Sequence, residues 1–394
     1  MTSFLCMCYP LSLSVVSVNS VANGASKRDF MPKNYTIAVL EGDGIGPEII
    51  AVALEVLKAV ESKSGVRFEL RHAPFGGKAY FDHGSAFPDE TKRICDECDA
   101  ILKGPIGLSF EESKKIPVDE QPERGALLPL RRRYNTFANF RPVFLPPDLA
   151  HFSPLKPRVV EGGIDIMIIR ELVGGLYFGE KERGEREDGT RYVRESLDYD
   201  EHQIARILRV ALDEAMKRKK VLHNIHKSNV LKSSVLWCEI LDEVARDYPE
   251  VEVKNVIVDA AATQLVLYPR QFDVMVMENM FGDILSDLAG GLLGSLGLMP
   301  SACIGAEKSY YEPSHGSAPD IAGQGIANPY SMIGSVAMML EKSFDMPEEA
   351  QAIWDAMRSV FGQGFTTADL KDPEGKLESI STQAFGDKVL EKLA

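Results

Sequence analysis

Between Tyr35 and Phe361, short β-rich runs alternate with longer stretches whose apolar residues recur at helical spacing. The runs at 35–40, 66–71, 99–102, 164–169, 220–223, 251–258 and 272–277 have the length of strands. The stretches 47–61, 89–97, 200–218, 231–246, 279–289, 330–342 and 347–361 carry the helical pattern. A strand that is followed by a helix before the next strand returns to the same edge and pairs in parallel, so this rhythm predicts an α/β fold with a largely parallel sheet. Residues 176–195 break the rhythm. Tyr177-Phe178, then a charged stretch with Asp188-Gly189, then Arg191-Tyr192-Val193 predict a β-hairpin arm, of the kind that embraces a second subunit.

The 394 residues allow two or three domains at about 100–200 residues each. With 45% hydrophobic and 26% charged residues, disorder is excluded as the dominant state. The formal net charge of −14 argues against a binder of nucleic-acid backbone, while leaving room for an anionic small molecule held by clustered arginines. No run of about 18 apolar residues is present, so no membrane-spanning helix is expected. Six cysteines are too sparse for a disulfide framework, and Cys95-x-x-Cys98 reads as one helical turn, because no second pair or nearby His completes a zinc set. Residues 1–30 are Ser- and Val-rich, with no acid before Asp29 and no base before Lys27. Without a positive n-region they do not read as a secretory signal. They read as a disordered extension or an over-long translation start, with an organellar targeting segment as the alternative. The expected compartment is the cytoplasm, or an organelle on that alternative.

Five segments carry candidate chemistry. GDGIGPE at 42–48 has GxGxG rather than GxGxxG spacing and no acid ending a second strand, so it predicts a tight turn whose backbone nears a ligand and not a standard Rossmann fold. In NMFGDILSD (279–287), Asp283 and Asp287 lie four apart on one helix face, and two hard oxygen donors one turn apart suit Mg²⁺ or Mn²⁺. Asp259, at the strand-to-helix junction of VIVDAAATQL, is a plausible third ligand. Arg131, Arg141 and Arg170 sit near strand ends, where planar guanidinium forks converge on carboxylates. Lys227, in HKSNV after the run VLHNI, is placed to accept a proton; the nearby His223 and His226 read as structural. YEPSHGSAPDIAGQGIANP (311–329) reads as an ordered loop whose small residues let a ring and a pyrophosphate approach, with Asp320 suited to the ribose hydroxyls of NAD.

GDGIGPE, HKSNV, VDAAATQL, FGDILSD and HGSAPDIAGQGIANP, in this order, resemble the decarboxylating 2-hydroxyacid dehydrogenases of the isocitrate and isopropylmalate dehydrogenase family, over nearly the whole chain from Tyr35. Three features are most similar to the isopropylmalate branch: RELVGGLYFG (170–179), ERGALLPLR (123–131) and Asp320-Ile321. GPIGLSF (104–110) departs from the GPKW-type sequence common in the family, and Arg131-Arg132-Arg133-Tyr134 is as close to tartrate and homoisocitrate relatives.

The resemblance implies an NAD- and Mg²⁺- or Mn²⁺-dependent oxidative decarboxylation of 3-isopropylmalate in leucine biosynthesis, with tartrate, D-malate or homoisocitrate as alternative substrates. It implies that Arg131, Arg141, Arg170 and Asp259 bind substrate, with Leu127 and Leu128 lining a pocket for its isopropyl group. Asp283 and Asp287 would hold the metal with Asp259 of a second subunit. Lys227, also from the second subunit, would handle the C2 hydroxyl proton, and Tyr177 would protonate the enol. Glu123, Glu312, His315, Gly316, Ser317, Ala318, Asp320 and Asn328 would contact NAD. The implied architecture has a cofactor-binding first domain (31–136 plus 294–394) and a substrate, metal and dimerisation domain (137–293). Each half would hold a mostly parallel sheet, and the hairpin arm would lie at a homodimer interface.

Overall fold

The computed structural model describes residues 33–394 apart from 371, 373, 374 and 376. The expectations for residues 1–30 lie outside the described residues. Among the described residues, twelve strands are longer than two residues: β1 (Asn34–Leu40), β2 (Arg67–His72), β3 (Ala100–Lys103), β4 (Ala138–Leu145), β5 (Ile164–Glu171), β6 (Lys181–Glu185), β7 (Arg191–Glu195), β8 (Val221–His226), β9 (Glu252–Ile257), β10 (Val274–Met277), β11 (Pro300–Ile304) and β12 (Tyr310–Pro313). Ten of them form one sheet in the order β2-β1-β3-β12-β11-β4-β5-β10-β8-β9.

The sheet has a parallel portion at each end, β2-β1-β3-β12 and β5-β10-β8-β9. Two strands join these portions with reversed pairing: β11 runs antiparallel to both β12 and β4, and β4 runs antiparallel to β5. The parallel portions were predicted and the reversed centre was not. β11 and β12 are bounded by Pro300 and Pro313 and follow one another with no helix between them, so they fall outside the strand–helix rhythm by which the other strands are read. The result is one continuous sheet rather than a separate sheet in each half.

Local sequence explains the helices that flank the sheet. Pro47 occupies the first turn of the helix Gly46–Ser64, where its missing N–H costs nothing. Ile49, Ala53, Val56, Leu57 and Val60 form its buried stripe. Gly65 then ends it in the left-handed region at φ +71°. The hairpin arm forms as predicted, with β6 and β7 paired antiparallel, Gly189 at φ +83° in its turn, and a mostly exposed surface. It starts later than predicted, because Gly175 at φ +68° bends the chain into a 3-10 turn, Gly175–Tyr177, before β6. β9 ends at Ile257 and the helix Val258–Leu267 follows at once, so Asp259 stands in the first turn of that helix, at the predicted strand-to-helix junction.

The turn after β1 is held by a buried acid. Asp43 is 4% exposed, and its carboxylate accepts from the backbone N–H groups of Gly77, Lys78 and Gly107, each at 2.9 Å. This anchors GPIGLSF without the residues that the family more often places there. At Gly44, φ is +56° and a Cβ would lie 2.0 Å from the carbonyl oxygen of Ser317, so only glycine fits. The N–H of Ile45 donates to that same carbonyl at 2.8 Å. The GDGIG turn therefore supports the 315–328 loop directly.

Candidate active site

β4 and β5 place two of the arginines. Arg170 stands opposite Asn139 in the antiparallel register, and Arg141 follows two residues along, so all three side chains share one face. Arg131 reaches the same region from the helix Leu128–Tyr134. Opposite them lies the helix Asn279–Leu292, which follows β10 and is N-capped by the side chain of Glu278, an acceptor for the N–H groups of Met280 and Phe281. One turn into this helix, Asp283 accepts from Arg170 Nη1 and, at 2.6 Å, from the Tyr177 hydroxyl. Asp287 accepts from Arg141 Nη1 at 3.1 Å, while the same nitrogen donates to Ser286 Oγ at 2.6 Å. Arg131 donates through Nε to the Tyr310 hydroxyl at 3.0 Å.

Cations and carboxylates are buried unequally. The side chains of Arg170, Arg141 and Arg131 are 1%, 6% and 6% exposed, while those of Asp283 and Asp287 are 40% and 54% exposed. The positive charge is buried, and the carboxylates are the part of the cluster that meets solvent. Burial alone would raise the Asp283 carboxyl, but Arg170, the Tyr177 hydroxyl, Arg141 and Arg131 outweigh it and hold it below the ordinary range. Asp287 is pushed up by burial, with Asp283 adding to the rise and Arg141 opposing it. Burial brings the Arg170 guanidinium down to about 10, with Asp283 opposing and the other two arginines adding to the fall. Burial and the Asp283 carboxylate push the Tyr177 hydroxyl up to about 12, so it keeps its proton at neutral pH.

Lys227 and Asp259 lie apart from this cluster. Lys227 Nζ donates to Asp259 Oδ1 at 2.7 Å, at the adjacent ends of β8 and β9, and this hydrogen bond lowers the Asp259 carboxyl. No hydrogen bond or ion pair joins either residue to the arginine cluster among the described residues. Nor do three His, Cys, Asp or Glu side chains of one chain come together as a metal site among the described residues. Asp283 and Asp287 offer hard oxygens of the kind that a divalent cation takes.

The 315–328 loop borders a cleft of about 470 Å³, lined by His315, Gly316, Ala318 and Asn328 with Ile45 and Asp369 among others. His315 bridges Ser331 Oγ (2.9 Å) and the Gly316 carbonyl (2.8 Å), and burial lowers its pKa. Ser317 donates to the Gly107 carbonyl at 2.8 Å; Ala318 adopts φ +41°; Asn328 donates to Asp369 at 3.2 Å. Asp320 is exposed beside the cleft. Glu123 begins a π-helical turn, Glu123–Leu127, and lies near Gly107, while Leu127 and Leu128 that follow are half-buried. Glu312 is placed differently from the loop residues: it is 7% exposed on β12, with Lys103 Nζ at 2.6 Å and Arg131 Nη2 at 3.9 Å. Burial would raise its carboxyl, but these cations bring it below the usual range.

Sequence reasoning passed over Asn279, Ser286 and Asn139, which orient the arginines, and Tyr310, which holds Arg131. Asn279 and Ser286 stand near the two aspartates in NMFGDILSD, but nothing in that segment says that they hold arginines. Asn139 lies in the β-like run FANF before Arg141, whereas Tyr310 sits on a strand that the sequence did not announce.

The sequence model described as isocitrate/isopropylmalate dehydrogenase matches residues 36–389. The chain belongs to the isocitrate/isopropylmalate dehydrogenase family. It is 48% identical over 365 residues to 3-isopropylmalate dehydrogenase of Geobacter sulfurreducens, covering 92% of this chain and all of that one. It is 50% identical over 362 residues to the enzyme of the same name from Methylococcus capsulatus, covering 91% and 98%. Among solved structures of the family, isocitrate dehydrogenase from Methylococcus capsulatus matches with a TM-score of 0.80 at 34% identity, covering 91% of this chain and 99% of that one. A beta-decarboxylating dehydrogenase from Thermococcus kodakarensis matches with a TM-score of 0.72 at 32% identity, covering 91% and 96%. The isocitrate/isopropylmalate dehydrogenase family is enzymatic, and this chain is an oxidoreductase with its fold. No helix among the described residues is long and apolar enough to cross a membrane.

Proposed function

We propose that the protein oxidises and decarboxylates 3-isopropylmalate to 4-methyl-2-oxopentanoate and CO₂, as a step of leucine biosynthesis, at sites shared between two copies of the chain. The observation that carries this reading is the array of three buried guanidinium groups beside two partly exposed carboxylates. Such an array suits a dianionic substrate bound beside a divalent cation. The names of the relatives favour 3-isopropylmalate within that class.

Residues 31–136 with 294–394 are proposed as the cofactor-binding domain, and 137–293 as the substrate, metal and dimerisation domain, with the cytoplasm as the compartment. Each contributes five strands to the common sheet. His315, Gly316, Ser317, Ala318, Asp320 and Asn328 would hold the adenosine side of NAD, with Glu123 and Glu312 toward the nicotinamide. The Asp320 charge would disfavour a 2′-phosphate. Asp283 and Asp287, with Asp259 of the partner subunit, would hold Mg²⁺ or Mn²⁺. Bound there, NAD supplies a hydride acceptor and the cation a Lewis acid for the substrate oxygens.

The chain's own groups account for the remaining steps. Arg131, Arg141 and Arg170 clamp the two carboxylates and fix the C2–H bond in one orientation. Lys227 of the partner subunit takes the proton of the C2 hydroxyl as hydride leaves. The resulting β-keto acid loses CO₂, and Tyr177, still protonated at neutral pH, returns a proton to the enol carbon. Leu127 and Leu128 favour an isopropyl group by about 1–3 kcal/mol. An extra carboxylate placed there would lack a partner, which rejects isocitrate more strongly.

The test is NADH formation from 3-isopropylmalate, isocitrate, D-malate, tartrate and homoisocitrate, with EDTA as control. The expected outcome is the highest kcat/KM on 3-isopropylmalate, abolished by EDTA and restored by Mg²⁺ or Mn²⁺. A large preference for another acid would overturn the substrate assignment.

A further inference from the structure

Asn279, the first residue of the helix that bears Asp283 and Asp287, is fully buried and engages three elements at once. Its Oδ1 accepts from Arg170 Nε at 3.0 Å and from Nη2 at 2.7 Å. Its Nδ2 donates to the Gly174 carbonyl at 3.0 Å, directly before the turn that presents Tyr177. Its backbone N–H donates to the Tyr199 hydroxyl at 3.0 Å. The stem of Arg170 is confined as well. A Cβ on Gly282 would come within 2.4 Å of Arg170 Cγ, so the helix lies directly on that side chain, and the Tyr177 ring centroid is 5.5 Å from the guanidinium carbon.

The chemistry of the acceptor matters. A guanidinium has five N–H donors. Three of those on Arg170 are engaged, two by Asn279 and one by Asp283, which leaves one on each terminal nitrogen for a ligand. An amide oxygen fixes the plane of that fork without cancelling its charge. A carboxylate in the same place would fix the plane equally well but set a second negative charge beside that of Asp283, so an anionic substrate would gain less from the cation.

We propose that Asn279 is a substrate-positioning residue: its neutral amide oxygen orients Arg170 toward the substrate carboxylate without adding a second negative charge to that of Asp283, and its amide N–H tethers the Tyr177 turn. This deepens the activity proposed above and rests on it. The test compares Asn279→Asp with the wild-type protein, reading KM for the acid and for NAD separately at pH 8. Asn279→Asp keeps the size and the acceptor, so the proposal expects KM for 3-isopropylmalate to rise about tenfold to a hundredfold while KM for NAD stays within about twofold. An unchanged KM for the acid, or a KM for NAD that rises in parallel, overturns it. If Asn279→Asp does not fold, the same criterion is applied to Asn279→Ser, which withdraws the acceptor from Arg170. The wild-type protein is assayed first: failure to turn over 3-isopropylmalate refutes the substrate assignment alone, and the comparison is then made with whichever acid of the panel reacts.

Discussion

Arg170 and Asp283 meet with the guanidinium 1% exposed, whereas Lys227 and Asp259 meet with the carboxylate side chain 70% exposed. The first pair is embedded in a network that one chain completes by itself, through Asn279, Tyr177 and the two other arginines. Among the described residues, the second joins only its own two side chains, and it is partly open to solvent. A buried cation deprived of its counter-ion is costly, while an exposed pair contributes little to folding. The arginine–aspartate cluster is built into the fold, whereas Lys227 and Asp259 form a more exposed pair, which agrees with the proposal that they serve a neighbour's site.

The largest expected effect breaks this comparison if it fails. Lys227→Ala should lower kcat by about 10²–10⁴-fold while leaving KM for NAD unchanged. Because its ion pair is exposed, Tm should move by no more than about 2 °C. Steady-state kinetics and a thermal melt decide it together: unchanged turnover removes the proton role, and a large fall in Tm removes the contrast.

An intermediate effect concerns a second exposed acid. Asp320→Lys should shift the ratio of kcat/KM for NAD over NADP toward NADP by about tenfold to a hundredfold, with KM for the acid unaltered. A ratio that does not move would show that Asp320 faces away from the ribose.

The smallest effect sharpens the buried side. Asp283→Asn should lower Tm by about 5 °C, because Arg170 loses its charged partner in a low-dielectric setting. The pH dependence has a definite sign. The Asp283 carboxyl is held below its ordinary value in the folded state, so its stabilisation is present at neutral pH and is lost as the pH falls through the acidic range. The fall of Tm with acidification should therefore be steeper in the wild-type protein than in Asp283→Asn, and parallel curves would contradict the assignment.

The sequence was most readable where local pattern and tertiary role coincide. Pro47, the apolar stripe from Ile49 to Val60 and Gly65 mark the first helix at both ends, and the structure ends it there. The i, i+4 spacing of Asp283 and Asp287 placed both on one helical face before any coordinates, and the structure sets each against an arginine. Reading failed where a short strand takes its partner from a distant part of the chain. β11 and β12 have five and four residues, and their burial comes from β4 and β3 rather than from any internal period. The role of Tyr310 was hidden with them. Asn279 was hidden differently: an asparagine at the start of a helix reads as a capping residue, and only the packing of β5 against that helix reveals that it holds Arg170.

Sharing of the site between two copies is the central claim, and mixing two inactive variants tests it most directly. Lys227→Ala and Asp283→Ala chains, unfolded and refolded together in equal amounts with mixed dimers verified by mass, should regain about a quarter of the wild-type rate. Half of the dimers would then be mixed, and one of the two sites in each would be whole. Rates that stay at the level of the separate variants, with mixed dimers present, would show that each chain carries a self-contained site.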